Sequence, residues 1–351
     1  QKKEKPDIIE IHNRPSYINL LVELNTSLVL YFHNDPISMD GSRSPKERVF
    51  LLNTCKKIVF NSEWSKKQFL KNLQSFYHKS KKLIVIHQSI NQTNVDISKK
   101  KKIISFVGKL NSAKGYDIFC KAIKKVLDKH PEWKAKIIGD EKREKIKLKH
   151  KNADLMGFQK HSEVINIFKK TSIAVACSRW EEPFGRTSLE ASANGCAVII
   201  TNKGGLPETV TNGKILKKLL VNDLVKSINN LITDNEYRKK LQQLSIKNFY
   251  LTHAYVTKTI DDYRSEKLFV RKKFLLKKNL KNLRILHITN FNERLDGRLF
   301  FNTGRRINNG FIRLGHSVLG FSDRDIQKYY KSFQDLKGAK ILNDKLKKTC
   351  Y

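Results

Sequence analysis

Residues 102–117 read KIISFVGKLNSAKGYD. The first seven positions are dominated by apolar residues, Gly108 ends the run, and a polar loop follows with Lys109 and Lys114. A helical pattern starts near Gly115. A short strand that is apolar on both faces and leads at once into a helix indicates a parallel sheet covered by helices on each side. The same rhythm recurs along the chain. Strands are expected at 7–12, 27–33, 57–62 and 83–88, then at 102–108, 135–139, 153–157, 173–178 and 197–201, and again at 283–289 and 317–322. Helices are expected between them: SPKERVFLLNTC with its Ser-Pro start, SEWSKKQFLKNL capped by Ser62, then 115–130, 162–171, 186–194, 206–212 and 222–262.

This pattern implies an α/β protein with Rossmann-like, doubly wound parallel sheets. Residues 1–93 read as the end of one such domain and 94–262 as a second. Residues 263–281 form a basic connector, suited to a packed linker helix or to an amphipathic helix at a membrane surface. Residues 282–351 restart the rhythm. The first block lacks the opening strand and helix of such a domain, so the chain reads as a piece cut from something longer. Two arrangements stay open: residues 282–351 begin a second domain of the same kind, or the two ends pair into one sheet, as in a circular permutant.

Composition narrows the classes. No run of about 18 apolar residues is present, so no membrane-spanning segment is expected, and the start Gln1-Lys2-Lys3-Glu4 carries no apolar leader. Five scattered cysteines without C-x-x-C spacing point to a reducing compartment and away from structural zinc. The net charge of +37 is built mainly of lysine spread over the whole length. It is consistent with general lysine enrichment or with attraction to an anionic membrane face. No arginine-rich stripe or aromatic RNA-binding signature accompanies it, so nucleic acid is not the expected partner.

The chemistry concentrates in two loops. Lys109 and Lys114, at the carboxyl end of a parallel strand, suit phosphate oxygens. In WEEPFGRTSLEASANG, residues 180–195, the amides of Phe184, Gly185, Arg186 and Thr187 fall at a helix N-terminus, which favours an anion. Glu182 stands before the turn and Glu190 about one helical turn after it. Read locally, the two acids fit surface decoration better than a site, although a carboxylate also suits the hydroxyls of ribose and hexose diols.

Four ordered segments decide between those readings by resemblance. EPFGRTSLE resembles the E-x7-E arrangement of the retaining GT-B glycosyltransferases, glycosyltransferase family 4. FVGKLNSAKG resembles that family's G-[RK]-L-x-x-x-K-G loop, TNKGGLPETV its G-G-x-P-E segment, and DLMGF, with Gly157, the segment lining the base pocket. The resemblance implies a GT-B fold and transfer of a sugar from a nucleotide-diphosphate sugar to a glycan or lipid-linked acceptor, with retention, as in lipopolysaccharide or surface-polysaccharide synthesis. The expected place is the cytoplasm, with peripheral contact at the inner face of the plasma membrane.

By the same resemblance, Glu190 would bind ribose and Glu182 the transferred sugar, while Lys109 and Lys114 hold the diphosphate without a metal or other cofactor. Gly108 begins the first loop, the amides of Phe184 and Gly185 line the sugar, and Gly204 and Gly205 permit close backbone approach. His33, in VLYFHND, would contact the donor sugar, and His12 is a weaker candidate of the same kind. The alternatives are a nucleotide-sugar-binding module without turnover, or another GT-B enzyme such as a sugar-nucleotide epimerase or a phosphorylase.

Overall fold

A computed structural model describes residues 6–24, 26–92, 94–144, 146–271, 282–291 and 303–350. Twelve strands occur among them: β1 (Ile8–His12), β2 (Ser27–Phe32), β3 (Lys57–Phe60), β4 (Leu83–Val85), β5 (Lys101–Val107), β6 (Lys134–Ile138), β7 (Ala153–Leu155), β8 (Thr171–Ala176), β9 (Ala197–Thr201), β10 (Lys214–Leu216), β11 (Arg284–Thr289) and β12 (Ser317–Ser322). They form two six-stranded sheets, ordered β12-β11-β1-β2-β3-β4 and β10-β9-β8-β5-β6-β7. Every pairing within these sheets is parallel.

The chain divides into two compact units, residues 1–86 with 257–351 and residues 87–256. In the first unit β11 lies beside β1, with Ile8 opposite Ile285 and Ile11 opposite Ile288. Of the two arrangements open in the sequence, the described strands adopt the one in which both ends of the chain share a sheet. The basic connector lies partly outside the described residues: a helix covers His253–Arg271, and nothing is described from 272 to 281. No helix among the described residues is long and apolar enough to cross a membrane.

Several helix starts follow local chemistry. Ser44 and Glu47 form a reciprocal capping box on Pro45–Thr54, and the Ser62 hydroxyl accepts from the Ser65 amide at 3.0 Å. Three expectations need correction. The single helix expected over 222–262 is three helices, Val221–Thr233, Asn235–Lys247 and His253–Arg271. The first break falls at Asp234, whose carboxylate accepts from the Tyr237 amide at 2.8 Å and so starts a new helix. Residues 206–212 hold only a 3-10 turn, Leu206–Thr209. The three-residue β10 was not anticipated, being too short for a periodic signal.

In the first unit a buried ion pair ties segments distant in sequence. Arg264 donates to both oxygens of Glu10, at 2.9 and 2.8 Å, and Tyr31 donates to the same carboxylate at 3.2 Å. The guanidinium also lies 4.1 Å from the ring centre of Phe311. Burial alone would lower the Arg264 pKa, but the Glu10 carboxylate outweighs it and the net shift is upward. Removing one partner of such a pair strands a buried charge, at a cost of about 3–5 kcal/mol. Arg264→Ala is therefore expected to destabilise the first unit by that order, measured by urea unfolding; a loss below about 1 kcal/mol would mean that solvent reaches Glu10.

Candidate functional site

The second unit places its loops by topology. Strands β5, β6 and β7 run to one side of the sheet and β8, β9 and β10 to the other, so the winding reverses between β5 and β8. Loops leave the carboxyl ends of neighbouring strands in opposite directions at such a point, opening a crevice. A recess lies there, lined by Val107 and Gly108 at the end of β5 and by Ala176 and Ser178 at the end of β8. Lys114, Glu182, Gly185, Arg186, Thr187 and Leu206 complete the wall.

The loop after β5 is fixed at several points. The Asn111 side chain accepts from the Lys114 amide at 3.0 Å and donates to Glu141 at 3.0 Å. Hydrogen bonds from Arg143 hold the Glu141 carboxyl down to about 2, so it is an anion at neutral pH. Ser112 donates its amide to Glu144 at 2.8 Å, and its carbonyl accepts from Arg179 at 2.5 Å. Arg179 also grips Asp117 through two bonds, at 2.5 and 2.7 Å, which lowers the Asp117 pKa. Lys114 thus projects from a braced turn and meets Glu182 in an ion pair. Lys109, by contrast, is exposed and does not line the recess.

The loop after β8 ends at the helix Arg186–Ala193. Gly185 begins it at φ +119°, and no side chain caps its N-terminus. A Cβ at Gly185 would meet Leu206 at 2.6 Å, which accounts for glycine there. Phe184 is buried and stacks on His87 with ring centres 5.5 Å apart. His87 in turn bonds Glu208 at 2.9 Å. Gly204 and Gly205 act on Glu182 from behind: a Cβ at Gly204 would lie 2.1 Å from the Glu182 carbonyl oxygen, to which the Gly205 amide donates at 2.6 Å.

Glu190 is 6% exposed and sits outside the recess lining. Its Oε1 accepts from Arg186 and, with Nε2 protonated, from His161, both at 3.0 Å. Arg186 therefore bridges the recess and the buried Glu190. Gly157 follows β7 at φ +63° and accepts from the Gly139 amide at 2.9 Å. His33 lies in the first unit, just beyond β2.

The structure thus gathers Gly108, Lys114, Glu182, Gly185, Arg186 and Thr187 at one recess, with Phe184, Gly204, Gly205 and Glu190 in support. Sequence reasoning missed Gly139, His87, His161 and the braces Glu141, Glu144 and Arg179. The glycine directly after IIG's strand run was a legible signal for Gly139; pairs such as His161 with Glu190 join segments whose contact no spacing reveals. The recess carries the Lys114 ammonium, paired with Glu182, together with Arg186 and a helix N-terminus, an arrangement that can bind an anionic group beside hydroxyls. No group of three or more His, Cys, Asp or Glu among the described residues is placed to hold a metal.

Comparison with known proteins agrees with this geometry. Residues 87–247 match the family model for glycosyl transferases group 1. The chain is 24% identical to spore coat protein SA of Bacillus subtilis over 280 residues, covering 70% of this chain and 74% of that protein. It is 32% identical to an uncharacterized glycosyltransferase of Methanocaldococcus jannaschii over 194 residues, covering 53% of this chain and 52% of that one. Its fold resembles that of Anabaena HepE, solved in complex with UDP, with a TM-score of 0.63 at 17% identity, covering 74% of this chain and 79% of HepE. The two parallel-sheet units are thus of GT-B type.

Proposed function

We propose that this chain, whose residues 87–247 match the family model for glycosyl transferases group 1 and whose fold is of GT-B type, moves a sugar from a nucleotide-diphosphate sugar to a glycan or lipid-linked hydroxyl, with retention at the anomeric carbon. The observation that carries this reading is that Lys114, paired with Glu182, lines one recess at the β5/β8 reversal together with Arg186 and the start of a helix without a side-chain cap.

In the proposed complex the diphosphate draws the Lys114 ammonium away from Glu182. Glu182 then accepts hydroxyl hydrogen bonds from the sugar, while Lys114, Arg186 and the amides of Gly185 and Thr187 surround the phosphates. As the bond from the anomeric carbon to the diphosphate oxygen breaks, negative charge grows on the leaving group, and fixed positive groups lower the barrier. We assign this charge stabilisation to the chain's own cations, with Lys109 supplying charge from the exposed rim, and no side chain is cast as nucleophile. Glu190, held at Oε1, offers its other oxygen to the ribose hydroxyls, and the backbone near Gly108 and Gly157 leaves room for the nucleoside. His33, in the first unit, is the proposed contact for a sugar hydroxyl. The charge of +37 fits an acceptor presented at an anionic cytoplasmic membrane surface, such as a lipopolysaccharide or polysaccharide precursor.

A thermal-shift panel tests the donor assignment. UDP- or GDP-sugars are expected to raise the melting temperature, because a ligand specific to the folded state stabilises it. Glu190→Ala should cut that shift by at least half; an unchanged shift would overturn the ribose assignment. Product anomeric configuration, read by NMR, tests retention. Stabilisation without any release of nucleotide diphosphate in the presence of acceptor would favour a binding module instead.

A further inference from the structure

The winding of the first unit's sheet reverses between β11 and β1, and His12 and His287 lie on these two strands, with His33 just beyond β2. Nearly every hydrogen-bonding group of His33 is held by the protein. Its amide donates to Asn13 Oδ1 at 2.7 Å, and its carbonyl accepts from Asn61 Nδ2 at 2.9 Å. Asn61 is fixed in that orientation because its Oδ1 accepts from Ser65 at 2.8 Å. Asn13 sits at φ +56°, a left-handed conformation that asparagine tolerates. The His33 ring lies with Nε2 2.8 Å from His12 Nδ1. Its remaining nitrogen, Nδ1, is buried and has no partner among the described residues.

His12 is equally constrained. It is 4% exposed, stacks on Tyr31 with ring centres 4.3 Å apart, and meets His287 edge to face at 4.9 Å. His287 is anchored through Nδ1 to Asn308 at 3.1 Å. Burial keeps all three rings neutral at pH 7: His12 falls well below its ordinary value, and His33 and His287 are pushed down to about 4.

Two neutral imidazoles joined by one hydrogen bond carry two protons on four nitrogens. If His12 Nδ1 donates, His33 must hold its proton on Nδ1. If His33 Nε2 donates, His12 holds its proton on Nε2 and His33 Nδ1 is bare. The two rings therefore always share one tautomer, both δ or both ε. We infer that His12 is a positioning residue that locks its tautomer to that of His33, so that His33 Nδ1 meets a ligand hydroxyl as a defined donor or acceptor. A hydroxyl both donates and accepts, so it matches either state; a carboxylate or phosphate matches only the δ state. The inference rests on the reading of His33 as a sugar contact.

The test is long-range proton–nitrogen NMR on the full chain, uniformly nitrogen-15 labelled and free of ligand, at pH 7. His12 and His33 are expected to show the same tautomer, each with one protonated and one bare nitrogen. Opposite tautomers in the two rings would overturn the coupling. His12→Phe keeps the stacked ring without nitrogens, so it should shift His33 toward the mixed tautomers of a free imidazole. His12→Asn, whose amide can replace Nδ1, should restore a single tautomer and serves if the Phe variant does not fold. A His33 spectrum that neither substitution changes would also refute the inference. Because no nucleotide is present, this result stands apart from the titrations of the second unit, and either can fail alone.

Discussion

Lys114→Ala is expected to lower turnover about 10²–10³-fold, the usual cost of deleting one fixed group that stabilises charge developing in a transition state. The loss should appear mainly in kcat. On the proposed mechanism the ammonium, paired with Glu182 in the free chain, would exchange one anion for another in the ground state, so its net contribution to donor binding should be small. Lys114→Arg retains the charge but not the compact geometry, and should recover part of the rate. Glu182→Gln should raise the KM for the sugar donor and leave affinity for the free nucleotide diphosphate nearly unchanged. Initial rates of nucleotide diphosphate release check all three; an alanine variant within about threefold of the parent would remove Lys114 from the mechanism.

Gly139→Ala is expected to cost about 3 kcal/mol or more and to abolish the stabilisation by nucleotide. Its φ is +138°, and a Cβ there would fall 1.8 Å from the carbonyl oxygen of Gly108, the first residue of the Lys109–Lys114 loop. Neither position can yield easily, because Gly108 donates its amide to Ile138 at 3.0 Å and Gly139 donates to Gly157 at 2.9 Å. Gly157→Ala is the matched control. Its φ is +63° but a Cβ would meet open space, so it should cost only the 1–2 kcal/mol of the left-handed conformation. Equal losses in urea unfolding would show that backbone angle alone, and not the close approach of β5 and β6, selects glycine at 139.

The strand rhythm was legible because both sheets are parallel and buried. Runs such as IIEI, VLYF and AVII are apolar on both faces, and each leads toward a helix or turn with readable punctuation. The neighbourhood of Lys114, Glu182 and Gly204 was legible for a related reason: each lies in the loop that leaves the carboxyl end of a parallel strand, β5, β8 and β9 in turn. Lys109 shows where such reasoning stops. Adjacent to Gly108, it is closer to the strand than Lys114, yet it projects to solvent while Lys114 lines the recess from a turn held by the Asn111 cap. The bracing partners were hidden for a different reason. Arg179 with Asp117, and Arg264 with Glu10, are contacts across long sequence separations that depend on the final packing of helices. The helix breaks at Asp234 and after Lys247 were masked by amphipathic character continuing on either side.

The placement of β1 has a consequence for synthesis. Its neighbour β2 starts at Ser27, soon after β1 ends at His12, but its other neighbour, β11, is made only after the whole of residues 87–256. At some 5–20 residues per second, β1 and β11 leave the ribosome many seconds apart, long enough for the second unit to fold between them. Folding of the second unit can therefore precede completion of the first unit's sheet, the reverse of the order in which their opening strands are made. The sheet closes only when the strand beginning at Arg284 arrives.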